Sequence, residues 1–184
     1  MQGLKFNNQF TSELPSDPND GPAERLVSNA LFARVAPKKP TSPYLIHYSP
    51  EVAKKIGLTV SECASKDFVD LFSGSKIMPG MDPHATCYGG HQFGNWAGQL
   101  GDGRAINLGE IDTEKGHLML QLKGAGPTPF SRNADGFAVL RSSLREYLCS
   151  EAMHHLGIRT TRALSLVGTG EQVMRDFLYD GHPA

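Results

Sequence analysis

Apolar and polar positions alternate with period two through residues 117–123: Leu118, Leu120 and Leu122 fall on one face, and Met119, Gln121 and Lys123 on the other. That spacing predicts a β-strand with one buried face, and it turns Lys123 away from the leucines toward a cleft or solvent. Residues 104–111 predict an antiparallel partner, with Asp112-Thr113-Glu114-Lys115-Gly116 as hairpin material between the two. A proline-containing linker, residues 124–133, follows, and the period then changes. Phe137, Leu140, Leu144, Leu148 and Ala152 recur at helical spacing. They predict the core stripe of a helix running from an N-cap at Asp135 to Leu156, with Gly157 at its C′ position. Val139, Ser142, Ser143, Glu146, Cys149, Ser150 and Met153 form a second stripe of small and polar residues, suited to close approach to something polar.

Earlier in the chain the pattern is weaker. Residues 6–48 are polar and rich in Pro, Asn and Ser, with short apolar pieces at Leu26-Val27, Leu31-Phe32-Ala33 and Tyr44-Leu45-Ile46. Such pieces can dock on a body but not make one, so an ordered wrapping arm is expected. Ser49-Pro50-Glu51 and Gly57 bracket one helix. A second is expected to open at Ser61, bury Phe68, Leu71 and Phe72, and stop at Gly74. Residues 77–83, with Pro79-Gly80 inside, predict a loop. Residues 162–167 and 172–177 predict two more strands around Gly168-Thr169-Gly170. The final Asp180-Gly181-His182-Pro183-Ala184 is turn-like and reads as an interruption. There are no internal repeats. Two parts are expected: 1–75, the arm and two short helices, and 76–184, a sheet-and-helix body.

Composition narrows the function classes. The 184 residues fit one ordinary domain or a small one with an appended segment, and such a length can bury roughly 70% of its unfolded surface. An apolar content of 39% and a charged content of 20% are those of a globular protein. A net charge of −1 leaves no electrostatic footprint for nucleic acid or an anionic membrane. Any phosphate must therefore be held by a few placed cations. Cys63, Cys87 and Cys149 are widely spaced, with neither a disulfide framework nor a C-x-x-C pair. A reducing, cytoplasmic setting is the expectation. The start lacks the apolar core of a signal peptide, and no run is long enough to span a bilayer.

The candidate chemistry lies in the middle of the chain. Residues 89–103 carry six glycines and lead directly to Arg104. Glycine lets phosphate approach backbone N–H groups, and the arginine fork suits phosphate oxygens. Lys123 would add a compact positive charge, and Glu146 on the following helix could anchor it. Glycine-rich loop, strand, strand ending in lysine, then helix with a glutamate is the order in which protein kinase lobes hold nucleotide phosphates. The same residues admit an ordinary reading as turns, a solvated lysine and a surface glutamate, and neither a Walker loop nor G-x-G-x-x-G is present. His84, Cys87 and His91 form a rival set of three zinc ligands that lacks a fourth. Cys149 has no activating base near it in sequence. His154-His155 are expected to meet the negative end of the helix dipole.

Longer strings carry a resemblance. Tyr88-Gly89-Gly90-His91-Gln92-Phe93-Gly94, Gln99-Leu100-Gly101-Asp102-Gly103-Arg104-Ala105 and Gln121-Leu122-Lys123-Gly124-Ala125-Gly126 closely resemble the selenoprotein O family. So do Ser131-Arg132, Asp135-Gly136, Arg141-Ser142-Ser143-Leu144-Arg145-Glu146-Tyr147-Leu148 and Gly157-Ile158-Arg159-Thr160-Thr161-Arg162-Ala163-Leu164. The resemblance implies an α+β fold: a protein kinase-like N-terminal lobe, with a twisted antiparallel sheet, a long C-type helix and the N-terminal wrapping arm. It implies a pseudokinase that transfers AMP from ATP to Ser, Thr or Tyr hydroxyls of proteins, with Mg2+. Gly101, Gly103, Arg104, Lys123, Asp135 and Gly136 match the family's ATP-binding positions, and Glu146 its lysine-anchoring glutamate.

Family members are more than twice this length. The resemblance places the paired phosphate-contacting arginines, the catalytic aspartate and the metal ligands beyond Ala184, in a C-terminal lobe. The chain is therefore expected to hold no catalytic or metal-binding residue of its own and to be inactive alone. Its partners would be ATP, protein substrates and that lobe. A true protein kinase and a non-enzymatic nucleotide-sensing module are the alternatives.

Overall fold

The computed structural model describes residues 1, 3–114 and 116–175. In chain order the elements are α1 (Gln9–Glu13), β1 (Phe32–Arg34), β2 (Tyr44–Tyr48), α2 (Pro50–Lys55), α3 (Val60–Cys63), α4 (Lys66–Phe72) and β3 (His84–Thr86). They continue with β4 (Gly89–Gln92), β5 (Asn95–Gln99), β6 (Ala105–Thr113), β7 (Gly116–Lys123), α5 (Leu140–His155) and β8 (Ser165–Gly168). Helices mix with antiparallel sheets, an α+β composition. The chain divides into two compact units.

The sheet unit comprises Lys5–Lys38 and Ile77–Phe137. Its four strands run β1-β3-β6-β7, every pairing antiparallel. The β6–β7 hairpin forms in the expected place and extends until Thr113 pairs with Gly116. Leu120 and Leu122 are buried and Met119, Gln121 and Lys123 exposed, as the alternation predicts. Val27, Ala33, Val35, Ala85, Ile106 and Phe130 form one core cluster. The supposed arm therefore supplies an edge strand, with Phe32 and Ala33 fully buried. Burial of a side chain the size of Phe32 stabilises by roughly 1.5–3 kcal/mol. Beside it, His84 stacks on Phe10 with ring centroids 5.4 Å apart. Its Nδ1 donates to the Asp82 carbonyl at 2.8 Å, and burial pushes its pKa down, so it is a neutral core residue.

The helical unit comprises Met1–Leu4, Lys39–Lys76 and the chain from Ala138 onward. Ser49 caps α2 through Val52 N, and Gly57 follows with φ +80°. The helix expected from Ser61 is two. Thr59 opens α3 with a reciprocal capping box to Glu62, and Ser65 caps α4 afresh. Each short polar cap satisfies backbone donors that one continuous helix would have used internally. Phe68 and Leu71 are fully buried there, and Phe72 nearly so. β2 pairs antiparallel with β8. Residues 172–175 form no strand, and the remainder of that expected strand lies outside the described residues.

α5 departs from expectation twice. It starts at Leu140 with Val139 as an N-cap that makes no side-chain bond, not at Asp135. Phe137 instead forms an antiparallel bridge with Ala125, and Gly136, at φ +72°, accepts from Gly126 N at 3.3 Å. Tertiary backbone pairing thus holds 136–137 out of the helix. The leucine stripe is not core either: Leu140, Leu144 and Leu148 are 54%, 43% and 59% exposed. The buried face carries Tyr147 and Ser150, with Tyr147 edge-on to His47 of β2 at 5.6 Å. Glu151 on the same side takes a bidentate pair from Arg162 at 2.7 and 2.9 Å. His154 and His155 do occupy the last turn. No described helix is long and apolar enough to cross a membrane.

Candidate functional site

Residues 89–103 are not a loose loop. β4 and β5 pair as a hairpin whose two-residue turn is Phe93-Gly94, with φ +53° and +80°. The chain then enters the turn at residues 101–104, which is heavily braced. The Asp102 carboxylate accepts from Thr86 N at 3.0 Å and from Asn107 Nδ2 at 3.5 Å. Thr128 Oγ1 donates to the Asp102 carbonyl and Ser131 Oγ to the Gly103 carbonyl, both at 2.6 Å. Burial, with the nearby Asp102 carboxylate, pushes the Tyr88 phenol pKa up.

Close packing explains both glycines. A Cβ at Gly101 would come 2.3 Å from the Phe130 ring, and one at Gly103 would come 2.7 Å from the Phe130 carbonyl oxygen. The amides of the turn are used internally: Gly101 N donates to Tyr88 O, Asp102 N to Thr86 O and Gly103 N to Gly101 O, at 2.9–3.1 Å. The turn does not aim these three N–H groups outward. What it presents is the exposed Arg104 side chain.

Arg104 lies beside the end of β7. Gly124 N donates to the Arg104 carbonyl at 2.7 Å, and Lys123 is in register with Ala105. Two exposed cations are thus fixed at one end of the β6–β7 ladder. The segment just after Lys123 meets Asp135-Gly136 through the Ala125–Phe137 bridge. Gly136 is buried there, since a Cβ would fall 2.1 Å from Gly126 O. The exposed Asp135 folds its carboxylate back onto Phe137 N at 3.0 Å, an Asx turn in place of a helix cap. Lys38 joins this corner, donating its N–H to Ala125 O and placing Nζ 5.0 Å over the Phe137 ring. Six of the seven residues singled out in the sequence thus share one backbone network. Glu146 is exposed on α5 and belongs to the helical unit.

Sequence reasoning missed the braces. Asp102, Thr128, Phe130 and Ser131 carry no spacing signal, because they meet through pairing across 26–28 positions. The rival metal set separates: His84 is core, Cys87 follows β3 and His91 packs on Trp96 in the hairpin. Burial raises the Cys87 thiol pKa, which disfavours a thiolate. Among the described residues no group of three His, Cys, Asp or Glu could hold a metal ion.

The α+β scaffold leaves two cations, Arg104 and Lys123, exposed beside a braced glycine turn, and exposed cations attract anionic ligands. The sequence assigns it further. The family described as protein adenylyltransferase SelO matches residues 20–178, and the chain belongs to that family. Protein nucleotidyltransferase YdiU of Azoarcus sp. (strain BH72) is 60% identical over 184 residues, covering all of this chain and 36% of that protein. The protein of the same name from Aromatoleum aromaticum is 60% identical over 188 residues, with 100% and 36% covered. That of Flavobacterium johnsoniae is 58% identical, with 100% and 35% covered. The chain spans about a third of the length of these relatives.

Proposed function

We propose that this chain is the nucleotide-holding N-terminal part of a protein adenylyltransferase that moves AMP from ATP to protein hydroxyls. Membership of the adenylyltransferase family carries the reading, and the corner formed by Arg104, Lys123 and the 101–104 turn supports it. In the reaction a Ser, Thr or Tyr oxygen attacks the α-phosphorus, the bond to the bridging oxygen breaks, and pyrophosphate leaves with the electron pair. Arg104 and Lys123 would hold phosphate oxygens by charge-assisted bonds. Gly101, Gly103 and Gly136 serve the site by permitting the packing that places those side chains. Asp135 lines the same corner.

The four-stranded antiparallel sheet followed by a long helix supports a protein kinase-like N-terminal lobe. On this reading the metal ligands and general base would lie in the part of the relatives' length that this chain does not span, and the 184 residues alone would transfer nothing. The test uses the intact gene product with ATP labelled at either end. Label at the α-phosphate should appear on protein, and label at the γ-phosphate should not. Transfer of the γ label would make the protein a kinase; transfer of neither would leave a binding module.

A further inference from the structure

The aromatic residues in and beside the β4–β5 hairpin are largely exposed. Phe93 at its tip is 94% exposed, Trp96 64% and Tyr88 47%. Phe93 and Gly94 both have positive φ, a turn for which Asn-Gly is the favoured pair. A bulky aromatic is disfavoured at that position, so its presence costs stability and wants a reason beyond the fold.

Trp96 is exposed yet held. Its ring lies over Gly89, where a Cβ would come 2.9 Å from Cη2, and the His91 ring meets it edge-on at 5.1 Å. An indole so supported is a ready stacking platform. The hairpin's place in the sheet unit says what would stack. At its base, Leu100 N and Gly101 N both donate to Tyr88 O, and Asp102 N donates to Thr86 O at 2.9 Å, which joins the hairpin to the 101–104 turn. Near its tip, Arg132 donates to Gln92 Oε1 at 2.7 Å, only three positions before Asp135. The aromatic hairpin is thus tied at one end to the turn bearing Arg104 and at the other to the segment bearing Asp135-Gly136.

From this continuity we infer that the hairpin is the base-binding element of the site, with Trp96 and Phe93 stacking on the purine ring while Arg104 and Lys123 take the phosphates. The inference rests on the nucleotide reading above and adds the aromatic contact to it. Stacking of this kind tolerates any π face and needs no hydrogen-bond readout.

Trp96 is the single tryptophan of the chain, so its emission reports the contact directly. ATP and adenosine should quench it saturably. Tripolyphosphate should leave the emission unchanged while competing with ATP in calorimetry. Phe93→Asn should raise or preserve the thermal midpoint, since asparagine suits the turn, yet weaken ATP and adenosine by about tenfold without affecting tripolyphosphate. ATP binding that depends on Lys123 but ignores both Trp96 and Phe93→Asn would overturn the inference and leave the phosphate site standing. Failure of ATP and tripolyphosphate alike to bind would remove both. Self-association abolished by Phe93→Asn, with nucleotide binding unchanged, would assign the patch to a second copy and refute base stacking.

Discussion

Gly101 and Gly94 are both glycines of positive φ in the same glycine-rich run, and they are there for different reasons. Gly94 sits at φ +80° with nothing within 4 Å of the position of a Cβ, so only its backbone conformation asks for glycine. Gly101 at φ +61° has the Phe130 ring 2.3 Å from that position, and Phe130 is itself buried. Gly94→Ala should therefore cost about 1 kcal/mol from the left-handed conformation alone. Gly101→Ala adds overpacking against a ring that cannot retreat and should cost about 3 kcal/mol. Urea unfolding of the two variants measures the difference, and equal losses would refute the packing role. The sequence marked both residues only as permissive backbone; what separates them is a phenylalanine 29 positions further along.

At the scale of elements, local signals were legible and distant ones were not. The β6–β7 hairpin declared itself because its alternation, its turn and its partner lie within twenty residues. The caps of α2, a serine before proline and a glycine after, are equally local. The edge strand β1 and the pairing of Tyr44 with Gly168 depend on partners fifty or more positions away, and no period in the sequence announces them. The glycine-rich run was misread because Phe93 occupies a turn position where asparagine would have signalled a hairpin. α5 shows a second limit: a leucine stripe at helical spacing marks an apolar face without saying what covers it. Here the helix seats Tyr147, Ser150 and the Glu151–Arg162 pair instead. Tyr147→Ala should cost about 3 kcal/mol of stability, whereas Leu144→Ser should stay within about 0.5 kcal/mol. Thermal unfolding distinguishes them, and the opposite order would return the leucines to the core.

For the molecule as a whole, the residues proposed to hold nucleotide concentrate in the sheet unit, while Glu146 belongs to the helical unit. The family assignment was legible in long strings such as Gln99-Leu100-Gly101-Asp102-Gly103-Arg104-Ala105, and the match over residues 20–178 agrees with it. How the turn works was not legible, because glycines suggest open amides and only the fold reveals that those of Gly101, Asp102 and Gly103 are already engaged. On the proposed reading, binding falls to side chains, Lys123 foremost. Calorimetric titration of the chain with ATP, comparing the native sequence with Lys123→Ala, tests that most directly. Lys123 is exposed at the end of β7, so its truncation should shift the urea midpoint by no more than about 0.5 kcal/mol of stability. Loss of one charge-assisted bond, about 1.5–3 kcal/mol, should weaken ATP binding by about tenfold or more. Equal affinity in the two proteins, or no ATP binding by the native chain, would contradict the account.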